Sequence, residues 1–419
     1  MIWRNSPAAR KVMGIRPIRR SPVTNPSLAP ARQQTLTNPA QTSVKRLLSL
    51  DVLRGITIAF MIMVNNNGGS GSWHFMNHAA WIGLTPTDLV FPTFVFVVGV
   101  SIVFAFESRL ARGATRTQLA WHTLQRAVVL ILLGIVVNGF PFFALDHLRF
   151  YGVLQRIGVC YLVVGLLYLW DRGMPSKIAV LVACLVGYWI LVRWVSVPGA
   201  GMPGRDIPFL DRDLNIVAWI DRHLMPGHLY EEWTTHNTRD PEGLLSDIPA
   251  IGTALLGLLT GLWLRSQRSV KAKALGLVAG CVGLLALGYF WSIWFPLNKK
   301  MWTSSYVLVA AGYSLALFAL AFWAIELRGW RKGWTRPWLV FGSNAIVAYM
   351  FSELLPGVMG LIRIPSGNGT VPLHQYLFTH VFAHIPNPGW AAFAWSVSFT
   401  AVCFIPVWVL YRMKIFVKV

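Results

Sequence analysis

The sequence predicts an all-α integral membrane protein, a bundle of about ten transmembrane helices with both termini in the cytoplasm. Three observations predict it. Hydrophobic residues make up 55% of the 419-residue chain and charged residues only 13%. Apolar runs of about 20 residues, the length a helix needs to cross a bilayer, recur along it. The 37 Lys and Arg residues cluster in short segments beside those runs, on alternate connections. Their excess over 16 acidic residues would also suit a nucleic-acid partner. No nucleic-acid-binding motif accompanies it, however, and the placement is that of orientation signals. Cys160, Cys184, Cys281 and Cys403 all lie inside apolar runs without a C-x-x-C pair, and read as buried free thiols rather than a disulfide or metal framework.

In chain order, residues 1–44 are rich in Arg, Pro, Ser, Asn and Gln and lack an apolar core, so they are expected to be a disordered basic cytoplasmic tail. A lipid-binding polybasic arm is the functional alternative, and Met13 an alternative start. Residues 45–419 form the transmembrane domain. Spans are expected near 48–66, 87–106, 126–145, 151–170, 178–196, 247–264, 275–295, 304–325, 337–356 and 389–411. Connections on the side of the tail carry 26 Lys and Arg, against eight on the other. The positive-inside rule therefore puts both termini in the cytoplasm, and the connection from Asn65 to Asp88 on the outer, periplasmic face.

Three outer connections carry polar chemistry. The first holds Asn65, Asn66 and Asn67, a Gly/Ser run, His74, His78, Trp81 and then Asp88 at the mouth of the next span. Polar groups beside hydrocarbon are costly unless they line protein or water, which makes this stretch a functional-site hypothesis. The second is the periplasmic loop 197–246, broken by Pro and Gly. With Asp247 at its border it carries nine of the sixteen acidic residues, among Trp219, Tyr230, Trp233, His223, His228 and His236. It reads equally as a solvated loop or as a lid facing sugar, since aromatic rings stack on pyranoses and carboxylates bind hydroxyls and ammonium groups. Its H-L-Y-E-E-W lacks the HExxH pattern of a metalloprotease. The third, Pro356–Gly389, places His380 and His384 four apart on a short helix. An amphipathic interfacial helix is favoured there over a metal site, because the spacing supplies no third ligand.

Four strings together resemble the heparan-α-glucosaminide N-acetyltransferase family, in a bacterial form, within the wider group of polytopic membrane acyltransferases. They are S-L-D-V-L-R-G-I from Ser49, V-N at Val64–Asn65, N-H-A-A-W-I-G-L-T-P-T-D-L-V-F-P at Asn77–Pro92, and L-Q-R-I-G-V at Leu154–Val159. The resemblance runs from about Lys45 to the end of the chain and is densest over the first four spans. It implies acetyl-CoA as the donor substrate, a glucosamine-type amino sugar or glycan as acceptor, and a place in the bacterial inner membrane. It makes His78 the catalytic histidine and Asn65 the active-site asparagine. The N-N-N-G-G-S-G-S-W-H stretch is longer than the usual loop, so Asn66 or Asn67 could fill Asn65's role.

The chemistry agrees with those residue types. A neutral imidazole can take the amine proton near neutral pH, or attack first to give an acetyl-imidazole. An amide N–H can donate to the oxyanion. Asp88 is assigned to orient His78 or bind the amine, alongside a plain role at a helix N-terminus. His74 is expected to be an interfacial hydrogen-bonding histidine. Arg54, one turn inside the first span, and Gln155 and Arg156, inside the fourth, are read as a polar conduit for the pantetheine and pyrophosphate of acetyl-CoA. That reading leans on the resemblance for both motifs; an Asp51–Arg54 structural pair is the alternative. Arg156 lies nearer the outer half and could instead serve the acceptor. Ser343 and Asn344, with Gly342 and Tyr349, favour close helix packing, or else wall the donor site. No metal is called for. Besides both substrates, the expected partners are membrane lipids, with a homodimer one option and no nucleic acid.

The leading expectation is thus a transmembrane N-acetyltransferase. A secondary transporter of a small polar solute would also place polar groups in spans, but the sequence shows no repeated halves. An O-acetyltransferase acting on a surface glycan is the other alternative.

Overall fold

The computed structural model describes residues 47–417 apart from 70, 172, 231–234 and 367–368. The tail 1–44 expected to be disordered, and Glu231, Glu232 and Trp233 of the long loop, lie outside the described residues. Among the described residues nine helices are long and apolar enough to cross a membrane, or ten if one bent pair is a single span. The chain is an all-α polytopic membrane protein.

In order these are α1 (Leu48–Asn65), α2 (Val90–Leu110, entered by a 3₁₀ turn at Pro86–Leu89), α3 (Arg116–Gly139), α4 (Val153–Trp170) and α5 (Met174–Trp194). A short α6 (Ile216–Leu224) lies within the long loop. After it come α7 (Asp247–Arg265), α8 (Val270–Trp291), α9 (Ser304–Phe322), α10 (Thr335–Ser343) and α11 (Ala345–Leu361). A two-stranded hairpin, β1 (Arg363–Ser366) and β2 (Gly369–Pro372), and α12 (Leu373–Leu377) lead to α13 (Pro388–Arg412).

α1, α2, α7 and α9 are the most buried helices, while α3, α5, α8 and α13 turn residues such as Leu132, Val182, Phe290 and Ile405 outward. That outward apolar surface suits lipid. Close approach in the centre depends on glycine: a Cβ on Gly99 would collide with the Ala254 carbonyl, and one on Gly257 with that of Phe96, so α2 and α7 meet backbone to backbone. Connections alternate between two ends. One, the loop end, gathers residues 66–85, 140–152, 195–246, 292–303 and 362–387. There the long loop packs on the first connection through a core of Trp81, Ile207, Leu210, Val217 and Phe295, and the Trp81 indole donates to the Leu210 carbonyl at 2.7 Å. The short α12 continues into a π-type turn whose Phe378 and Phe382 pack on Trp395 of α13, and His380 bonds the Tyr376 carbonyl at 2.9 Å.

Two spans differ from the sequence expectation. The third runs 116–139 rather than 126–145. Thr115 and Gln118 form a capping box that starts the helix a full ten residues before the apolar run, and Pro141 prevents its continuation. The ninth is not straight: α10 and α11 meet at Asn344 with an 80° bend. The Asn344 side chain donates to the Ile415 carbonyl (3.1 Å) and accepts from the Val417 amide (2.9 Å), so it serves a neighbouring segment instead of continuing the helix.

Candidate active site

The loop-end site is built on Thr85, which precedes the turn that opens α2. Asp88, three residues on, closes a capping box: its Oδ2 accepts from the Thr85 amide (3.0 Å), the Thr85 hydroxyl (3.0 Å) and the Ala79 amide (3.1 Å). Oδ1 meets His78 Nδ1 at 2.7 Å, and the Asp88 carbonyl accepts from the Tyr306 hydroxyl at 2.5 Å. One buried carboxylate therefore caps a helix and holds an imidazole. The proton between His78 and Asp88 belongs on Nδ1, which leaves Nε2 as the basic nitrogen.

Nε2 faces Lys299 Nζ at 3.4 Å, while 40% of the His78 side chain remains exposed. Lys299 comes from a rigid turn between α8 and α9. Asn298 Oδ1 accepts from the Met301 amide, the Met301 carbonyl accepts from Tyr188, and Lys300 donates to the Ala80 carbonyl at 3.0 Å. Burial first, then the Lys299 ammonium, pushes the His78 imidazole below its ordinary range, outweighing Asp88. Burial also lowers Lys299, against Glu242 and Asp88. The downward shift favours the neutral imidazole, whose Nε2 lone pair accepts from Lys299 Nζ.

Around this line lies a charged frame. Arg149 donates from Nε to Asp240 (2.8 Å) and from Nη2 to Glu242 (2.7 Å). Burial works against the Glu242 anion, but Arg149, Lys299 and Arg156 outweigh it and hold its carboxyl down at about 2. Glu242 is near enough to interact electrostatically with His78, Lys299 and Glu353.

Of the three asparagines, Asn66 bonds back to the Ile62 carbonyl, and Asn67 bonds Met76 and Asn77 within the loop. Asn65, the last residue of α1, instead donates to Glu353 Oε1 on α11 at 3.1 Å. His74 lies exposed on a single turn, His74–Met76.

The five residues expected at the donor do not come together. Gln155 and Arg156 fall in the first turn of α4, at the loop end. Gln155 donates to the Phe150 carbonyl; Arg156, fully buried, bonds Asp247 at 3.0 Å and Ser246, and lies over the Trp302 ring at 4.8 Å. Arg54, Ser343 and Asn344 lie toward the opposite end. Arg54 bonds Ser101 at 2.8 Å and Asp51 at 3.3 Å and is 26% exposed; the Ser343 hydroxyl returns to the Val340 carbonyl. A Cβ on Gly342 would strike the Asp51 carbonyl, so α10 and α1 touch beside Arg54.

Sequence reasoning missed Lys299, Glu353, Glu242 and Arg149 as parts of this site. Two signals were present: Lys299–Lys300 is a cation pair on the connection side poor in cations, and Glu353 is a carboxylate inside an apolar run. Among the described residues no group of three or more His, Cys, Asp or Glu is placed to hold a metal ion.

Residues 46–286 match the family model described as heparan-alpha-glucosaminide N-acetyltransferase, catalytic. The chain is similar to the human protein named heparan-alpha-glucosaminide N-acetyltransferase, 31% identical over 360 residues that cover 74% of this chain and 53% of the relative. It is similar also to the mouse protein of the same name, 29% identical over 75% of this chain and 54% of that one. The chain thus spans about half the length of the curated relatives it matches. That match covers more than half of the present sequence, including every residue from Arg54 through the first two spans to Asp88, Arg156 and Asp247: the chain belongs to the heparan-alpha-glucosaminide N-acetyltransferase family.

Proposed function

We propose that this protein transfers acetyl from cytoplasmic acetyl-CoA to the amine of a glucosamine-type sugar presented at the loop end, on the outer face of a bacterial inner membrane. The observation that carries this reading is the Asp88–His78–Lys299 line, set in a chain of that family. Acetyl transfer to an amine needs a base at the reacting centre, a donor for the carbonyl oxygen, and a path for the thiol to leave.

Asp88 fixes the tautomer of His78, and Nε2 takes the proton of the attacking amine as its nitrogen bonds the thioester carbon. The Lys299 ammonium is within one side-chain motion of the oxyanion that forms and donates to it. Collapse of that intermediate breaks the C–S bond, and the proton held on Nε2 leaves with the thiol of coenzyme A. In the two-step variant Nε2 itself carries the acetyl before the amine receives it. Asn65 supplies a second amide N–H at the mouth. At the opposite end the Arg54 guanidinium, partly exposed beside Ser101 and Asp51, is a planar, charged donor of the kind that binds the donor's phosphates. Ser343 and Asn344 line the neighbouring bend. At the reacting end Arg156 holds α4 against α7, and Gln155 holds the connection before α4 through the Phe150 carbonyl.

The test is transfer of radiolabelled acetyl by purified protein in lipid. Label recovered on glucosamine as an amide is the expected product. Label recovered only as an ester on a hydroxyl, or solute uptake without covalent label, would replace this reading.

A further inference from the structure

We propose that a cleft at the loop end, between α3, α11 and the long loop, is the acceptor subsite, in which Glu353 receives the ammonium group of an amino sugar. The identity of the sugar rests on the transfer reading above; the cation preference does not.

The cleft holds about 330 Å³ and is lined by Asn138, His147, Arg149, Tyr230, Asn237 and Glu353, among others. That volume is at the small end of ligand sites, the scale of a monosaccharide. Glu353 sits in α11, a helix otherwise apolar, where a carboxylate is costly unless it has a partner or a task. Its Oε1 accepts from Asn65, and among the described residues neither an ion pair nor any bond to Oε2 completes it. Other anions at this end have a cation or several donors: Asp240 and Glu242 have Arg149, Asp247 has Arg156, and Asp88 has His78 and three N–H or O–H groups; Asp221 also leaves an oxygen unpartnered among the described residues, but it does not line the cleft.

Arg149 does not offset Glu353. It lines the cleft with its guanidinium already committed to Asp240 and Glu242. A small, polar cleft with one carboxylate oxygen left over selects a compact cation that also bears hydroxyls. A protonated amino sugar has both. Asn65 joins the two halves of the argument, because the asparagine that the family resemblance places in the active site is the residue that holds Glu353. An amine bound at Oε2 therefore lies beside Asn65, two residues before Asn67, which bonds the loop that carries His78, and Glu242 acts electrostatically on both Glu353 and His78.

The experiment measures equilibrium binding of glucosamine and of glucose to the full chain in lipid nanodiscs, without donor, at a pH where the amine is protonated. The wild type is expected to bind glucosamine at least ten-fold tighter than glucose, and Glu353→Gln to lose that preference while its affinity for acetyl-CoA stays unchanged. A Glu353→Gln protein that keeps its melting transition and its preference overturns the proposal, as does a wild type with no preference. Carbodiimide labelling of wild-type Glu353, read by peptide mass, needs no variant. Protection by glucosamine but not by glucose supports the subsite, and equal labelling under both overturns it. A protein that binds the cation yet acetylates no amine keeps the subsite and loses the transfer reading.

Discussion

At His78 the two ring nitrogens have different neighbours, and the chemistry follows from that asymmetry. With Nδ1 on Asp88 and Nε2 on Lys299, the imidazole is favoured in the neutral form that the proposed role as base requires. His78→Ala should lower turnover by at least a thousand-fold while acetyl-CoA binding and the melting temperature stay near wild type. The acid limb of kcat/KM reports the imidazole in the free enzyme, so it should lie below the ordinary histidine range. Lys299→Met removes a cation that disfavours the imidazolium. The acid limb should then move to higher pH, and kcat should fall because an oxyanion donor is gone; an unmoved limb would take Lys299 out of the site. His78 and Asp88 were legible in the sequence because eleven consecutive residues carry both. Lys299 was not, since it reaches His78 across 221 positions of chain and only the packing of α8, α9 and the first connection brings them together. Of the roles weighed for Asp88, its contacts hold two at once, one oxygen on His78 and the other on the helix N-terminus, and amine binding stays a proposal.

Elements show a similar division. The apolar runs and their number could be read directly, since hydrocarbon thickness imposes span length. Bends could not: F-G-S-N was visible as a small polar patch within a span, but the 80° turn depends on what Asn344 bonds on a segment seventy residues later. The long loop was readable as acidic and aromatic, equally a solvated loop or a lid facing sugar. In the structure Asp221, Asp240 and Glu242 are buried while Asp206 stays exposed beside Arg205, and Asp221 has one oxygen bonded to the Leu244 amide and the other unpartnered among the described residues. Burial, and then Asp240, pushes its carboxyl up to about 7. Between roughly pH 4, where the unfolded carboxyl titrates, and about 7, the folded protein holds a proton that the unfolded chain has lost. Its contribution to stability therefore falls as pH rises through that window and is flat above it. Asp221→Asn should melt higher than wild type at pH 8 and lose most of that advantage by pH 5. The α4–α7 clamp makes a contrasting case. Arg156→Met leaves Asp247 buried beside Tyr151 without its cation, and should cost about 3–5 kcal/mol of stability, seen as loss of the melting transition at lower temperature. Arg54→Ala, at a partly exposed position, should leave melting nearly unchanged and weaken acetyl-CoA binding.

On the scale of the whole molecule, the alternation of the spans brings His78, Asp88, Lys299, Asn65 and Glu353 to one end and Arg54, Ser343 and Asn344 toward the other. That separation was legible in part, because charge bias predicts sidedness before any coordinates are known. The fourth span was expected at 151–170 with Arg156 toward the outer half, and α4, starting at Val153, puts Gln155 and Arg156 at the loop end, away from Arg54. Sidedness has a direct check. A cysteine at Phe75, an exposed position on the first connection, should react with an impermeant maleimide added outside intact cells. Reaction only after the membrane is opened would reverse the orientation and move the chemistry to the other face.

α1 is eighteen residues long, a rod of about 27 Å. Near its start Arg54 rests on Ser101; its final residue, Asn65, grips Glu353. Gly55 lies where any Cβ would meet the Trp338 carbonyl, so the rod has almost no room to slide or roll against α10. Methyl-sized insults at that seam ought to behave as a lever: Gly55→Ala should disturb ligand recognition at both membrane faces at once, giving a twin defect from a single site that touches neither ligand.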